Sequence, residues 1–120
     1  MPPEGADAAY LWDIIDAGQA ITAFIAGKTF ADYEADRMLR RAVEREVEII
    51  GEAARRLSAV FQDGHPEVPW RRIVAQRHVI AHEYGEIKHE KLWLVATLLV
   101  PELVRLLERL LPPTPPEPNA

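Results

Sequence analysis

Apolar residues in this chain recur at steps of three and four and never at steps of two over a useful length, so it can bury hydrophobic surface as helices but not as a sheet. Leu11, Ile14, Ile15, Gly18, Ile21 and Ile25 mark a first stripe, with Gly27 placed to end it. Beyond a short connection, Asp32 is positioned to cap a second helix whose stripe runs through Leu39, Val43, Val47, Ile50, Ala54, Leu57 and Phe61. That spacing predicts a helix of about 30 residues, on the order of 45 Å, which exposes faces one small domain does not cover and so points to a partner. Gly51 inside it costs roughly 1 kcal/mol relative to alanine, which predicts a close approach of another backbone there.

The stretch Asp63-Gly64-His65-Pro66-Glu67-Val68-Pro69-Trp70 breaks the pattern and reads as a loop, with Pro69 suited to the first turn of the next helix. A shorter third helix carries Ile73, Arg77, Ile80 and Ala81 and should fray near Tyr84-Gly85. A fourth, starting near His89, displays Leu92, Val95, Ala96, Leu99, Leu103, Leu106, Leu107 and Leu110, and Pro101 should kink it because the spacing continues in register on both sides. The expected architecture is all-α: a four-helix up-down bundle with a long second helix, filling residues 1–111. The Pro-rich segment 112–120 is expected to be a disordered tail.

At 120 residues and 48% hydrophobic content, the chain can build one real core and is too short for two. It has no cysteine, which excludes disulfides, thiolate metal sites and cysteine nucleophiles. Lys91, Glu102, Arg105, Glu108 and Arg109 interrupt the greasiest stretch, so no run reaches the roughly 20 residues of a membrane span. The N-terminus lacks the basic and apolar regions of a signal peptide, and a cytoplasmic location is expected. A net charge of −5 makes the molecule as a whole repel polyanions. A nucleic-acid role therefore needs a local basic patch, from Arg37, Arg40, Arg41 and Arg45 or from Arg71, Arg72 and Arg77. The first group alternates with Glu44, Glu46 and Glu48, as on an ordinary solvated helix face.

Chemistry concentrates in Arg77-His78-Val79-Ile80-Ala81-His82-Glu83-Tyr84. Arginine stays charged and grips phosphate oxygens in pairs, and an imidazole holds or releases a proton near neutrality. Five residues apart on a regular helix, Arg77 and His82 point about 140° from each other. They can share a target if the helix ends near His82 and the ring turns back, or if a second copy contributes across a two-fold axis. Without a metal, guanidinium stabilisation of a phosphorane plus proton transfer by the imidazole suffices to cleave RNA, leaving a 2′,3′-cyclic phosphate and a 5′-hydroxyl. The bland alternative is that Arg and His near a helix C-terminus merely complement its dipole and free carbonyls.

The order Arg, four residues, His, one residue, Tyr resembles the signature of HEPN-domain ribonuclease toxins of the HepT type. Further matching pieces extend the resemblance over most of residues 8–111: Arg41-Ala42-Val43-Glu44-Arg45, Ile49-Ile50-Gly51-Glu52-Ala53, His65-Pro66-Glu67-Val68-Pro69-Trp70, Leu92-Trp93 and Val100-Pro101-Glu102-Leu103. The resemblance implies an all-helical homodimer in which two motif copies line a cleft and act as a metal-independent endoribonuclease toxin without a cofactor. It implies that Arg77 and His82 carry cleavage. It also implies that Tyr84 accepts AMP groups from ATP, placed by a minimal nucleotidyltransferase (MNT) antitoxin. Members commonly carry Asn or Asp after the motif arginine; here His78 stands there and can supply a comparable hydrogen bond that positions phosphate or a proton.

Other readings compete. His78 and His82, four apart, have metal-ligand spacing, with Glu83, Glu86 or His89 as a third ligand, but no glutamate follows His78 to act as a protease base. Glu48 and Glu52 share a helix face; Arg45, Arg55 and Arg56 within reach favour ion pairs over paired-carboxylate chemistry. His65 reads as a turn residue, and Trp12, Trp70 and Trp93 as core or interface anchors, one of which could stack an unpaired base. The rival function is a noncatalytic helical dimer that binds the nucleotidyltransferase.

Overall fold

The computed structural model describes residues 5–111, all of whose regular structure is helical; the tail expected at 112–120 lies outside the described residues. Helix α1 (Gly5–Ile25) buries Leu11, Ile14, Ile15, Gly18 and Ile21 along the expected stripe. It ends where Gly27 takes φ +73°, a left-handed conformation that other residues adopt only with strain.

The expected long second helix is instead three: α2 (Phe30–Ala35), α3 (Arg37–Arg56) and α4 (Ala59–Gly64). Asp32 does cap, but from inside the short α2. Its carboxylate accepts the Thr29 N–H at 2.9 Å while Thr29 Oγ1 accepts the Asp32 N–H at 3.1 Å. Asp36 then turns extended and caps α3 through the Leu39 N–H at 3.0 Å. The break lets α2 swing Tyr33 into the core against Trp93, ring centroids 5.4 Å apart, while α3 keeps its own stripe on α1 and α5. One straight helix cannot serve both directions.

The second break is held from outside. Asp7 of α1 accepts the Ser58 backbone N–H at 2.9 Å and the Ser58 hydroxyl at 2.7 Å, and Ser58 Oγ accepts the Phe61 N–H to start α4. The Ala54 carbonyl accepts from both the Leu57 N–H at 3.3 Å and Gln62 Nε2 at 2.9 Å, closing the end of α3.

Helix α5 (Trp70–His82) follows the loop, and α6 (Gly85–Leu94) begins one turn earlier than the apolar spacing indicates. A π-helical turn (Val95–Leu99) joins α6 to α7 (Val100–Glu108), with the Val100 N–H reaching back to the Val95 carbonyl. Pro101 sits just inside α7, where its missing N–H and ring demand an adjustment that the widened turn supplies. Helix α3 packs on α1 and α5, α1 on α7, and α2 on α6, giving an elongated body of 43 × 24 × 24 Å. Leu11, Ile14, Ile21, Val43, Leu92 and Leu107 are fully buried at its centre, each worth about 1.5–3 kcal/mol of transfer free energy. No helix among the described residues is long and apolar enough to cross a membrane.

Candidate nuclease site at the end of helix α5

Helix α5 is fixed at its start. The Trp70 indole N–H donates to the His65 carbonyl at 3.1 Å, and Trp70 and Ile73 are buried against α3 and α4. It ends at His82, where Glu83 turns extended and its N–H returns to the Val79 carbonyl at 3.0 Å. Tyr84 is extended as well, and Gly85 at φ +59° redirects the chain into α6. Tyr84 stands at this junction 76% exposed.

The helix remains regular through His82, so the imidazole does not turn back to the guanidinium. Arg77 reaches the other way, its Nη1 donating to Glu52 Oε2 on α3 at 2.9 Å. His82 lies against His78 instead, with ring centroids 4.4 Å apart and planes tilted by 45°. Beside them Glu83 is ion-paired with Lys91, whose ammonium holds its carboxyl below the ordinary value. One chain therefore places His78 and His82 together and Arg77 on a different flank.

Arg77 opens onto a groove of about 590 Å³ between α1, α3 and α5, lined by Tyr10, Asp13, Arg45, Glu48, Ile49, Glu52, Ala53, Arg56 and Arg77. Its hub is Glu52, which also accepts from Arg55 at 2.8 Å and Arg56 at 2.8 Å, and those two guanidiniums hold its carboxyl down to about 2. Helical spacing within α3 foretold the Arg55 and Arg56 pairs and the Arg45–Glu48 pair, which stands at 3.5 Å. It could not foretell Arg77, which comes from another helix; Gly51 was the available signal. A Cβ there would lie 3.1 Å from Arg77 Cγ and 3.6 Å from the Ile73 carbonyl, so the close neighbour is chiefly the Arg77 stem rather than backbone.

The remaining candidates resolve differently. Glu44, read as part of a solvated face, is buried and paired with Lys88 of α6 at 2.9 Å and Arg41 at 3.4 Å. This breaks the alternation that made Arg37, Arg40, Arg41 and Arg45 look like one surface band. His65 is the expected turn residue, its Nδ1 3.1 Å from Glu67 Oε1. Trp70 is buried with its N–H committed to His65, and the partly buried Trp93 packs at a tilt against Phe30 and Tyr33, so both serve as core anchors. Among the described residues no three His, Cys, Asp or Glu side chains gather as metal ligands, and the His78–His82 pair lacks a third.

The described residues form an all-helical body in which Arg77, His78, His82 and Tyr84 are exposed near the end of α5. The chain belongs to the HepT-like ribonuclease family, whose model matches residues 14–110. It is similar to a candidate RNase of Methanocaldococcus jannaschii, 32% identical over 100 residues, spanning 83% of this chain and 92% of that protein. It is 35% identical over 101 residues to a protein of Thermococcus cleftensis named as a probable ribonuclease HepT, covering 84% and 92% of the two chains. A candidate RNase of Caldanaerobacter subterraneus is 32% identical over 102 residues, 85% of this chain and 91% of its own. No solved structure matches the chain.

Proposed function

We propose that this protein is a metal-independent endoribonuclease toxin that works as a homodimer of four-helix up-down bundles and is silenced by AMP transfer to Tyr84 from an MNT-type antitoxin. The observation that carries the reading is the exposure of Arg77, His78, His82 and Tyr84 around one helix exit in a member of the HepT-like ribonuclease family. In the reaction, the RNA 2′-hydroxyl loses its proton to an imidazole and attacks the adjacent phosphorus. The bond to the 5′-oxygen breaks, and that oxygen takes a proton as it leaves. Arg77 stabilises the charge that builds on the phosphorane, and His82 moves the protons. His78, its ring tilted against that of His82, supports the positioning of phosphate or proton.

Arg77 and His82 diverge within one chain, so their convergence calls for a second copy, the Arg77 of one facing the His82 of the other. Ile87, Leu94 and Leu98 support such pairing: they lie along one side of α6 and the π turn near Tyr84, 58%, 55% and 66% exposed. An AMP group on Tyr84, two residues from His82, would meet incoming RNA with bulk and like charge.

Replacing Arg77 or His82 with alanine is expected to abolish RNA cleavage and growth inhibition while leaving folding and the dimer intact. Tyr84→Phe is expected to cleave RNA yet escape neutralisation by the antitoxin with ATP. The same divergence of Arg77 and His82 favours one other reading, a noncatalytic dimer that binds the nucleotidyltransferase. That reading prevails if the unaltered protein, free of AMP by intact mass, cleaves no RNA.

A further inference from the structure

We propose that the arginines gathered on Glu52 form a phosphate subsite for single-stranded RNA, and that the strand continues from there past Arg55 to Arg71 in the neighbouring groove. This deepens the ribonuclease reading and rests on it.

Three guanidiniums converge on the Glu52 carboxylate, Arg55 and Arg56 at 2.8 Å and Arg77 at 2.9 Å. One negative charge answers three positive ones, which leaves an uncompensated positive hub on a molecule whose net charge is −5. The three side chains are 53%, 54% and 50% exposed. Each guanidinium has five N–H donors and Glu52 occupies only one or two, so the others remain for phosphate oxygens. Exposed ion pairs of this kind add little stability, but they hold the forks in place, so less side-chain freedom is lost when an anion arrives.

The direction of the strand follows from the carboxylates. Besides Glu52, the Arg77 groove is lined by Asp13 and by Glu48, which pairs with Arg45, and these carboxylates disfavour a phosphodiester along it. A second groove, about 410 Å³, lies between α3, α4 and α5 and is lined by Arg55, Gln62, Trp70, Arg71, Val74 and Ala75, with no carboxylate among them. Arg55 borders this groove and is hydrogen-bonded to Glu52, which borders the first, so the two meet at the hub. Trp70 forms the floor, buried and with its N–H spent on His65. It offers no stacking face, so this stretch grips backbone without reading bases.

The test is the salt dependence of binding of a short fluorescent oligouridine to the full-length His82→Ala protein, with cleavage by unaltered His82 protein measured in parallel. Each phosphate contact on a single strand contributes about 0.7 to the slope of log affinity against log salt. Arg55→Gln with Arg71→Gln should lower the slope by about 1.4 and weaken binding, while Arg105→Gln, the same kind of charge loss on α7, should leave it unchanged. Both positions are exposed, and far-ultraviolet circular dichroism and melting verify folding. Unchanged slope in the double variant, or an equal loss with Arg105→Gln, overturns the proposed path even if cleavage is intact. A reduced slope without any cleavage by the parent protein supports the path and defeats the ribonuclease reading. Absence of binding defeats the path.

Discussion

Arg77 and Glu52 stand 25 positions apart in sequence and 2.9 Å apart in space, and the aliphatic part of Arg77 reaches that contact by crossing Gly51. A bare backbone at 51 thus creates the path by which the candidate catalytic guanidinium leaves α5 and meets α3. An alanine there would place its Cβ 3.1 Å from Arg77 Cγ and 3.5 Å from Cδ, close enough to push the stem aside.

Gly51→Ala should therefore separate stability from function. Alanine gains roughly 1 kcal/mol of helix propensity, which offsets the crowding because the arginine stem is flexible and yields by a few tenths of an ångström. The melting temperature is expected to stay level or rise slightly, whereas RNA cleavage should fall by about tenfold as Arg77 is displaced. Equal cleavage by the two proteins would show that the route over Gly51 has no bearing on catalysis.

Glu52 predicts an acid-sensitive limb in the stability profile. Arg55 and Arg56 hold its carboxyl down to about 2 from an ordinary 4.5. A carboxyl lowered by folding contributes stability that is complete above the unfolded value and is lost as pH falls through the folded one. The unaltered protein should lose that contribution, kept small by solvent screening of an exposed carboxylate, between pH 4.5 and about 2. Glu52→Gln should start less stable near neutrality and lose less over the same interval. Parallel melting curves for the two proteins across that range would contradict the assignment.

Gly18 is a different case, since what it faces cannot move easily. A Cβ at 18 would lie 2.5 Å from Val104 Cγ2 and 3.3 Å from Val100 Cγ1, where α1 and α7 meet. Valine is stiff at χ1, so relief must come from the helices. Gly18→Ala is expected to destabilise by about 1–3 kcal/mol despite its better helix propensity, with a fall in melting temperature of about 5–10 °C. Adding Val104→Ala should recover part of the loss; no recovery would place the strain elsewhere.

The helical class was legible because stripes such as Leu11 to Ile21 and Leu92 to Leu107 have a period that only a helix can bury. The breaks around α3 were not. Asp36 and Ser58 are ordinary cap residues in an unbroken apolar register, and what makes Ser58 a break is Asp7, 51 positions away. At the site, the helix end at His82 was within reach of local signals. The Arg77–Glu52 bond was not, since spacing on α3 alone accounts for Arg55 and Arg56 and says nothing of a third arginine from α5. Glu44 misled for the same reason: its partner Lys88 belongs to α6, and charge alternation along α3 made a buried carboxylate look solvated.

That Lys88–Glu44 pair carries the last prediction. Glu44 is 7% exposed, and its link to Lys88 at 2.9 Å fastens the first turn of α6, just beyond Tyr84, to the middle of α3. Breaking a largely buried pair by removing one member strands the other, at a cost of about 3 kcal/mol where burial is nearly complete. Arg41 at 3.4 Å relieves only part of this, since its own side chain is 61% exposed. Lys88→Met is therefore expected to lower stability by about 2–3 kcal/mol. Glu44→Leu with Lys88→Met, which leaves no charge to strand, should be closer to the unaltered protein than the single variant. Urea unfolding of the three proteins decides it. If the double variant is no more stable than Lys88→Met, the pair does not act as a unit, and α6 is held to α3 by apolar packing alone.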